Sequence, residues 1–336
     1  MNNYEDVVVS TRVRLARNFK TIPFPAKLHG STESANKVID SVVKVCDKLY
    51  DYKLLRMNEL NDVDRVALLE RHLISPNLVE NTDNGAVIIA KNNGVSIMIN
   101  EEDHIRAQCV MKGYGLEECY DIISRFDDEL ASTNELAFDN KLGYLTACPT
   151  NLGTGMRASV MLFLPALTHT GDINRVINDA GQLGLTVRGM YGEGSSAKGY
   201  LYQVSNQITI GTSEKDLLQN VASFVEKLCD AEKSTRVKWY KNAGINLEDK
   251  IMRAYGILLY ARSISSKEFM EHIAFVKLGV ALKILDLDMT MLNTLTELCQ
   301  PANLCHHEGR KIGEVERDQA RAKLVRENIN KRRENK

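Results

Sequence analysis

The chain has 336 residues, 44% of them hydrophobic and 26% charged, with a formal net charge of −1. That length suits at least one substantial core, with two domains as the natural division, and the near-zero charge gives no global field towards nucleic acid or membrane. No run reaches the roughly 20 apolar residues of a membrane span, and the start, Met1 to Asp6, lacks the basic and apolar regions of a signal peptide.

Val7 to Arg14 reads as a strand in which Arg12 and Arg14, two apart, share a face. Glu33 to Tyr52 carries Ala35, Ile39, Val42, Val43, Cys46 and Leu49 at helical spacing, and Asp62 to His72 is a shorter helix. Ala86 to Ala90 and Val95 to Ile99 predict a hairpin, because Asn93-Gly94 between them supplies the positive φ of a tight turn. Next comes Asn100-Glu101-Glu102-Asp103-His104-Ile105-Arg106. Its three consecutive acids would ordinarily mark a solvated turn.

Glu117 to Leu130 predicts another helix, and Gly143 to Cys148 a strand ended by Pro149. Asp172 is placed to N-cap a helix that Gly184 closes. Thr186 to Met190 and Tyr200 to Ile210 read as strands, the latter as one or two. Ser213 starts a helix with Glu214 and Asp216 in its first turn, and from there the periodicity is helical throughout. The change in character puts a domain boundary near residues 230–245, and the basic run at 330–336 reads as a frayed end.

Several chemistries lack their signatures. There is no G-x-x-x-x-G-K-[ST] loop, no H-E-x-x-H and no G-x-S-x-G. Gly192 to Ala197 imitates a dinucleotide loop but precedes a strand-like run, against that fold. The seven cysteines form no C-x-x-C pair, which favours reduced thiols in a cytoplasmic protein. Cys299, Cys305, His306 and His307 have no second half of a metal site, so no metal is expected there.

Arginine is what remains. Arg12, Arg14, Arg106, Arg157 and Arg188 lie in or beside strand-like runs and next to glycine-bearing loops. Any one of them alone would be a surface residue. Converging on one cleft from strand ends, the five would suit a polyphosphate without any phosphate-binding loop.

Ser10-Thr11-Arg12-Val13-Arg14, the acidic box at 100–104, Cys148 to Gly155, and Arg188-Gly189 followed by Gly192-Glu193 occur in that order. Together they resemble the catalytic domain of the guanidino (phosphagen) kinases. Those enzymes carry a helical N-terminal domain before these motifs. Here the first motif lies within ten residues of Met1, and a helical region follows residue 240 instead. With Arg317-Asp318-Gln319-Ala320-Arg321-Ala322 in that region, the arrangement resembles the bacterial protein-arginine kinases over essentially the full length.

The resemblance implies an α+β fold, with a guanidino-kinase-like antiparallel sheet flanked by helices over residues 1–235 and an all-helical C-terminal domain over 236–336. It implies transfer of the γ-phosphate of ATP, with Mg²⁺, to the guanidino group of arginine side chains in proteins. Ser10, Arg12, Arg14, Arg106, Arg157 and Arg188 would bind ATP. Glu102 would be the base, Glu193 its partner on the guanidinium, and Cys148 a positioning thiol, while Glu101 and Asp103 would anchor the loop or reach Mg²⁺ through water. Arg317, Asp318, Arg321 and Ala322 would form a phosphoarginine-binding element.

Partners implied are proteins with exposed arginine, a second copy of the chain, a zinc-binding activator, a heat-shock repressor and the Clp protease machinery. Nucleic acid and membrane are not among them. Two other readings stay open: a kinase for free arginine or another small guanidino compound, and a phosphoarginine-binding adaptor that delivers clients to a protease.

Overall fold

The structure is a computed structural model that describes residues 4–27, 31–190 and 198–334. Its strands in chain order are β1 (Val8–Arg17), β2 (Tyr52–Arg56), β3 (Ala86–Ala90), β4 (Val95–Ile99), β5 (Ile105–Lys112), the short β6 (Phe138–Asp139) and β7 (Gly143–Tyr144), β8 (Met156–Phe163), β9 (Leu185–Gly189) and β10 (Leu201–Asn206). All but β6 and β7 join one 8-stranded sheet in the order β2-β3-β4-β5-β1-β8-β10-β9. Every pairing in it is antiparallel.

Alternation along the strands divides the sheet into two unlike faces. Val13, Leu15, Ala107, Cys109, Ala158, Val160 and Val204 point to one of them and are fully buried. That face packs on α1 (Thr32–Leu49), on α4 (Leu116–Thr133), which follows the shorter α2 (Asp62–Glu70) and α3 (Pro76–Glu80), and, beyond α5 (Pro165–Thr170) and α6 (Ile173–Gln182), on the long α7 (Glu214–Ala243). Each Val or Leu so buried contributes roughly 1.5–3 kcal/mol. The β3–β4 hairpin forms as expected. Its Gly94 has φ +69°, and a Cβ there would stand 2.1 Å from Val110 O, so no other residue fits the turn.

The opposite face is covered only at its margins. Met57, Leu68, Ile74 and Leu78, from α2, α3 and their flanks, pack on Val87 and Met98 near the β2 edge. Further along, Met161 and Leu201 touch a second core, built from α8 (Ile245–Tyr260), α9 (Ser266–Ala281), α10 (Met289–Leu298) and, past the short α11 (Pro301–His307), α12 (Glu314–Glu334). Helix α7 bridges the two cores: Val225, Leu228 and Cys229 belong to the first, while Trp239, Tyr240 and Ala243 pack on the second.

The structure corrects several local expectations. The segment 145–148 is loop, since only Gly143–Tyr144 pairs as strand, and the region from Tyr200 yields one strand, Leu201–Asn206. The first helix stops at Leu49, and Tyr52–Arg56 becomes the edge strand of the sheet. Asp172 stands at the N-cap of α6 as expected, but its side chain makes no capping bond; its carboxylate accepts the Thr170 hydroxyl instead at 2.7 Å. Ser213 does cap α7, accepting the Asp216 N–H at 3.1 Å.

Candidate active site

The register puts all five arginines on the same face of the sheet. Arg14 stands opposite Arg157, Arg12 opposite Ser159 and Ala16 opposite Arg106, while Gln203 faces both Met161 and Arg188. Directly opposed residues share a face, so one surface carries Arg106, Arg12, Arg14, Arg157 and Arg188 across β5, β1, β8 and β9. The expectation of strand-end arginines holds only in part, because Arg12 and Arg14 lie inside β1.

These cations are crowded and short of counter-charge. Burial and the neighbouring Arg106 and Arg157 push the Arg12 pKa down to about 10. Burial together with Arg106, Arg12 and Arg157 pushes Arg14 well below its ordinary value, with Glu101 opposing. Arg157 is lowered by burial, then by Arg188 and Arg106. Among the described residues only Arg106 has a carboxylate within ion-pair distance, Glu101 at 2.9 Å. The Arg106 Nε is buried with no hydrogen-bond partner. A surface that holds so many guanidinium donors at mutual cost is built to receive a multiply charged anion.

The acidic box is folded into the protein. Glu101 is buried and accepts from the Ser75 hydroxyl and twice from Arg106 Nη1, at 2.9 and 3.1 Å. Burial opposes its ionisation, but Arg106 and Ser75 outweigh burial and hold its pKa below the ordinary value. Asp103 is buried too, accepting from Asn18 Nδ2 at 2.7 Å and from the Ala147 N–H at 2.6 Å. His104 accepts the Phe19 N–H at Nδ1 (3.1 Å), which leaves the Nε2–H to donate to Pro23 O (2.9 Å). The expectation of a solvated turn therefore fails for Glu101, Asp103 and His104.

Glu102 differs from its neighbours. It is partly exposed, and among the described residues no side chain bonds or pairs with its carboxylate. Burial, then the adjacent Asp103 and Glu101 charges, raise its pKa, while Arg106 and Arg14 act against them. The box thus presents one free carboxylate of raised basicity beside the arginine face.

The bond from Ala147 to Asp103 fixes the loop that carries Cys148. Its thiol is partly exposed, lies 3.0 Å from the Thr150 hydroxyl, and is near enough to Arg157 to act on that guanidinium. The other six cysteines are buried. Gly155 enables the tight entry to β8: at φ +63°, a Cβ would stand 2.6 Å from Ala16 O and from Arg17 Nη1. Arg17 lies on the opposite face, where it pairs with Asp127 at 2.6 Å and stacks on Tyr144.

Ser10 continues the arginine face two residues before Arg12. Glu193 falls in 191–197 and lies outside the described residues. The C-terminal candidates stand apart from the sheet on α12. Arg321 is 1% exposed and donates to Cys299 O (3.0 Å), Ile264 O (2.8 Å) and Asp318 Oδ1 (2.6 Å). Arg317 donates to Ile312 O at 3.0 Å, and Ala322 is part of the second core. As placed, Arg321 joins α12 to the segments before α9 and after α10. Cys299 and Cys305 are buried, and no group of three or more metal-ligating side chains occurs among the described residues.

Sequence reasoning missed three residues on this face. Arg12 reaches Ser159 Oγ and Gln203 Oε1, each at 3.4 Å. His72, with φ +57°, has its pKa lowered by burial and by Arg12. Its carbonyl accepts from Gln108 Nε2 at 2.7 Å. The alternation of β8 and β10 could have revealed Ser159 and Gln203, but nothing local marks His72.

Comparison with known proteins gives concordant matches. Residues 33–235 match the family described as ATP:guanido phosphotransferase, C-terminal catalytic domain, and residues 244–336 match the protein-arginine kinase McsB C-terminal domain. A protein-arginine kinase of Caldanaerobacter subterraneus subsp. tengcongensis is 44% identical over 336 residues, 98% of each chain. One from Clostridium tetani is 42% identical over 338 residues, 98% of this chain and 99% of that one. Among solved structures, a lombricine kinase is 25% identical with TM-score 0.61 and covers 70% of this chain and 68% of its own. The duplicated taurocyamine kinase of Schistosoma mansoni with bound transition-state-analogue components is 28% identical, also with TM-score 0.61, covering 69% of this chain and 33% of that one.

Proposed function

The chain belongs to the ATP:guanido phosphotransferase family, and from that membership we propose that it is an ATP-dependent protein-arginine kinase acting on arginine side chains. The observation that carries the reading is a sheet face of five arginines bordered by the free carboxylate of Glu102. The second domain supports a protein acceptor. Residues 244–336 match the C-terminal domain described for a protein-arginine kinase, and a curated protein-arginine kinase aligns with 98% of the chain, the C-terminal helices included.

Phosphoryl transfer asks the protein for alignment and for charge stabilisation. Arg12, Arg14, Arg106, Arg157 and Arg188 bind the triphosphate, and their fixed donors meet the charge that builds on the transferring group. Ser10 lies towards the nucleoside end. A guanidinium is a poor nucleophile while protonated. Glu102, with Glu193, orients one of its nitrogens towards the γ-phosphorus and takes the proton as the N–P bond forms and ADP leaves. Cys148, held by the Asp103–Ala147 bond, positions the guanidinium electrostatically.

Magnesium fits as a companion of the phosphates. Glu101 and Asp103 are already engaged by protein donors, which suits a cation held chiefly by phosphate oxygens and water. When bound, it neutralises phosphate charge.

The division into a catalytic domain over 1–235 and a helical domain over 236–336 is part of this reading, with a homodimer formed through the helices and phosphoarginine recognised near Arg317, Asp318, Arg321 and Ala322. No helix among the described residues is long and apolar enough to cross a membrane; a cytoplasmic setting, a zinc-binding activator, a heat-shock repressor and Clp protease partners complete the proposal.

Incubation with ATP and either free arginine or an unfolded arginine-rich protein tests it. Acid-labile, alkali-stable phosphate on the protein is expected. Rapid turnover of free arginine with no protein labelling would overturn the reading.

A further inference from the structure

The acceptor of a protein-arginine kinase arrives as one residue of a polypeptide. Its guanidino group must reach Glu102 and Cys148. In an extended chain, the residues two or three places away then lie roughly 7–10 Å to either side. The surface around Glu102 and Cys148 is therefore touched by the rest of the substrate.

On one side that surface is apolar. Among the described residues up to 235, seven large hydrophobic side chains are exposed, and five of them, Phe138, Leu142, Leu183, Ile208 and Ile210, stand together here; the other two are Val66 and Tyr114. Exposure within the group runs from 43% at Leu142 to 61% at Leu183.

Hydrogen bonds tie this band to the acceptor site. Past β10 the backbone keeps the alternation of a strand. Thr209 is buried, and its hydroxyl bonds Thr150 O at 3.1 Å and Leu152 O at 2.6 Å, so Ile208 and Ile210 on either side of it point outward. The Thr150 hydroxyl in turn lies 3.0 Å from the Cys148 thiol. Two residues before Ile208, Asn206 O accepts from Arg157 Nε at 3.2 Å.

The rest of the band adjoins these two isoleucines. A Cβ on Gly184, next to Leu183, would stand 2.6 Å from Ile208 Cδ1. A Cβ on Gly153 would stand 2.7 Å from the Cα of Ile210, and Gly153 O accepts the Tyr144 N–H at 2.8 Å. Phe138 meets the Tyr144 ring edge-on, with centroids 5.2 Å apart, and Leu142 sits in the turn between β6 and β7.

We propose, resting on the protein-arginine kinase reading, that this band docks the substrate chain beside its acceptor arginine and selects unfolded segments in which apolar residues flank that arginine. Clustered exposed hydrophobic side chains mark interaction surfaces in soluble proteins. Continuity with Cys148 and Arg157 assigns this cluster to the substrate chain. Apolar neighbours of an arginine are mostly buried in a folded protein. A site that reads them engages an unfolded chain and passes over a surface arginine of a native one. Free arginine would leave the band unused.

The test uses the full chain and three acceptors. One is free arginine; the others are unstructured peptides of equal length and charge, each with a single arginine, flanked by leucine and valine or by glycine and serine. Wild type should favour the apolar-flanked peptide about tenfold or more in kcat/KM, chiefly through KM, as burial of one or two aliphatic side chains allows. The double variant Ile208→Ser, Ile210→Ser should erase that preference by losing activity on the apolar-flanked peptide alone, with ADP affinity unchanged. Equal use of both peptides by wild type, or equal losses on both in the variant, would overturn the inference. So would a variant altered only in its oligomeric state. Turnover of free arginine with neither peptide labelled would instead sink the protein-kinase reading, a distinguishable result. A peptide carrying benzoylphenylalanine beside its arginine needs no variant: crosslinks to residues 137–144 or 207–211 support the proposal, and crosslinks confined to other segments contradict it.

Discussion

Arg106 donates two hydrogen bonds to Glu101, and among the described residues this is the one ion pair made by any arginine of the cluster. The pair joins the acidic box to the phosphate-binding face and leaves Glu102 free. Glu101→Gln should keep the Ser75 contact but release Arg106. A loss of roughly 10- to 100-fold in kcat is expected, with ADP affinity changed less, since orientation is what suffers. Steady-state kinetics beside ADP titration measures both.

Glu102 should show opposite effects on activity and stability. Its pKa is raised in the folded state, so the folded protein holds a proton more tightly than the unfolded chain does. Its ionisation therefore removes stability as pH rises from the unfolded value through the raised folded one. Activity runs the other way, rising with pH across the same window as the base becomes available. Glu102→Gln should accordingly melt higher than wild type at neutral pH. Thermal melts across pH 4 to 8 check the sign.

The arginine face should be relieved by anions. Burial and mutual repulsion lower Arg12, Arg14 and Arg157 together. Tripolyphosphate at about 100 times its Kd should stabilise the fold by roughly 2.7 kcal/mol, seen as a rise in Tm of several degrees. Arg14→Gln should raise the Tm of the free protein and shrink that increment.

Arg157→Lys keeps the charge but loses the planar fork. A drop in kcat of about 10²- to 10³-fold is expected, near the cost of removing one preorganised donor. Wild-type turnover in the variant would remove Arg157 from the site.

Arg321 gives a test at the other end of the chain. It is buried and bonded to two backbone carbonyls and Asp318, so Arg321→Ala should destabilise the helical domain by roughly 3 kcal/mol or more through stranded polar groups. Arg317→Ala removes a more exposed group and should leave Tm nearly unchanged while weakening phosphoarginine binding. Melts and phosphoarginine titration of both variants separate structural loss from lost recognition.

Much of this was legible in the sequence because alternation is local. Arg12 and Arg14 had to share a face, and Asn93-Gly94 had to turn. Register across strands was not legible, since nothing in β1 says that Arg14 meets Arg157 or that Gln203 meets Arg188. Nor could the acids at 101–103 be sorted. Their separate fates depend on Ser75, Asn18 and Ala147, which come from distant parts of the chain. The burial of Arg321 escaped for the same reason, because its acceptors Ile264 and Cys299 lie 57 and 22 residues away.

The central claim is that this face delivers the γ-phosphate of ATP to a guanidinium with Glu102 as base. Single-turnover transfer from ATP to an unfolded arginine-rich protein, at saturating nucleotide, tests it most directly in wild type and Glu102→Gln. The variant should bind ADP within about twofold of wild type and transfer phosphate at least about 10²-fold more slowly, the lower range for loss of a general base. Transfer at the wild-type rate would contradict the account.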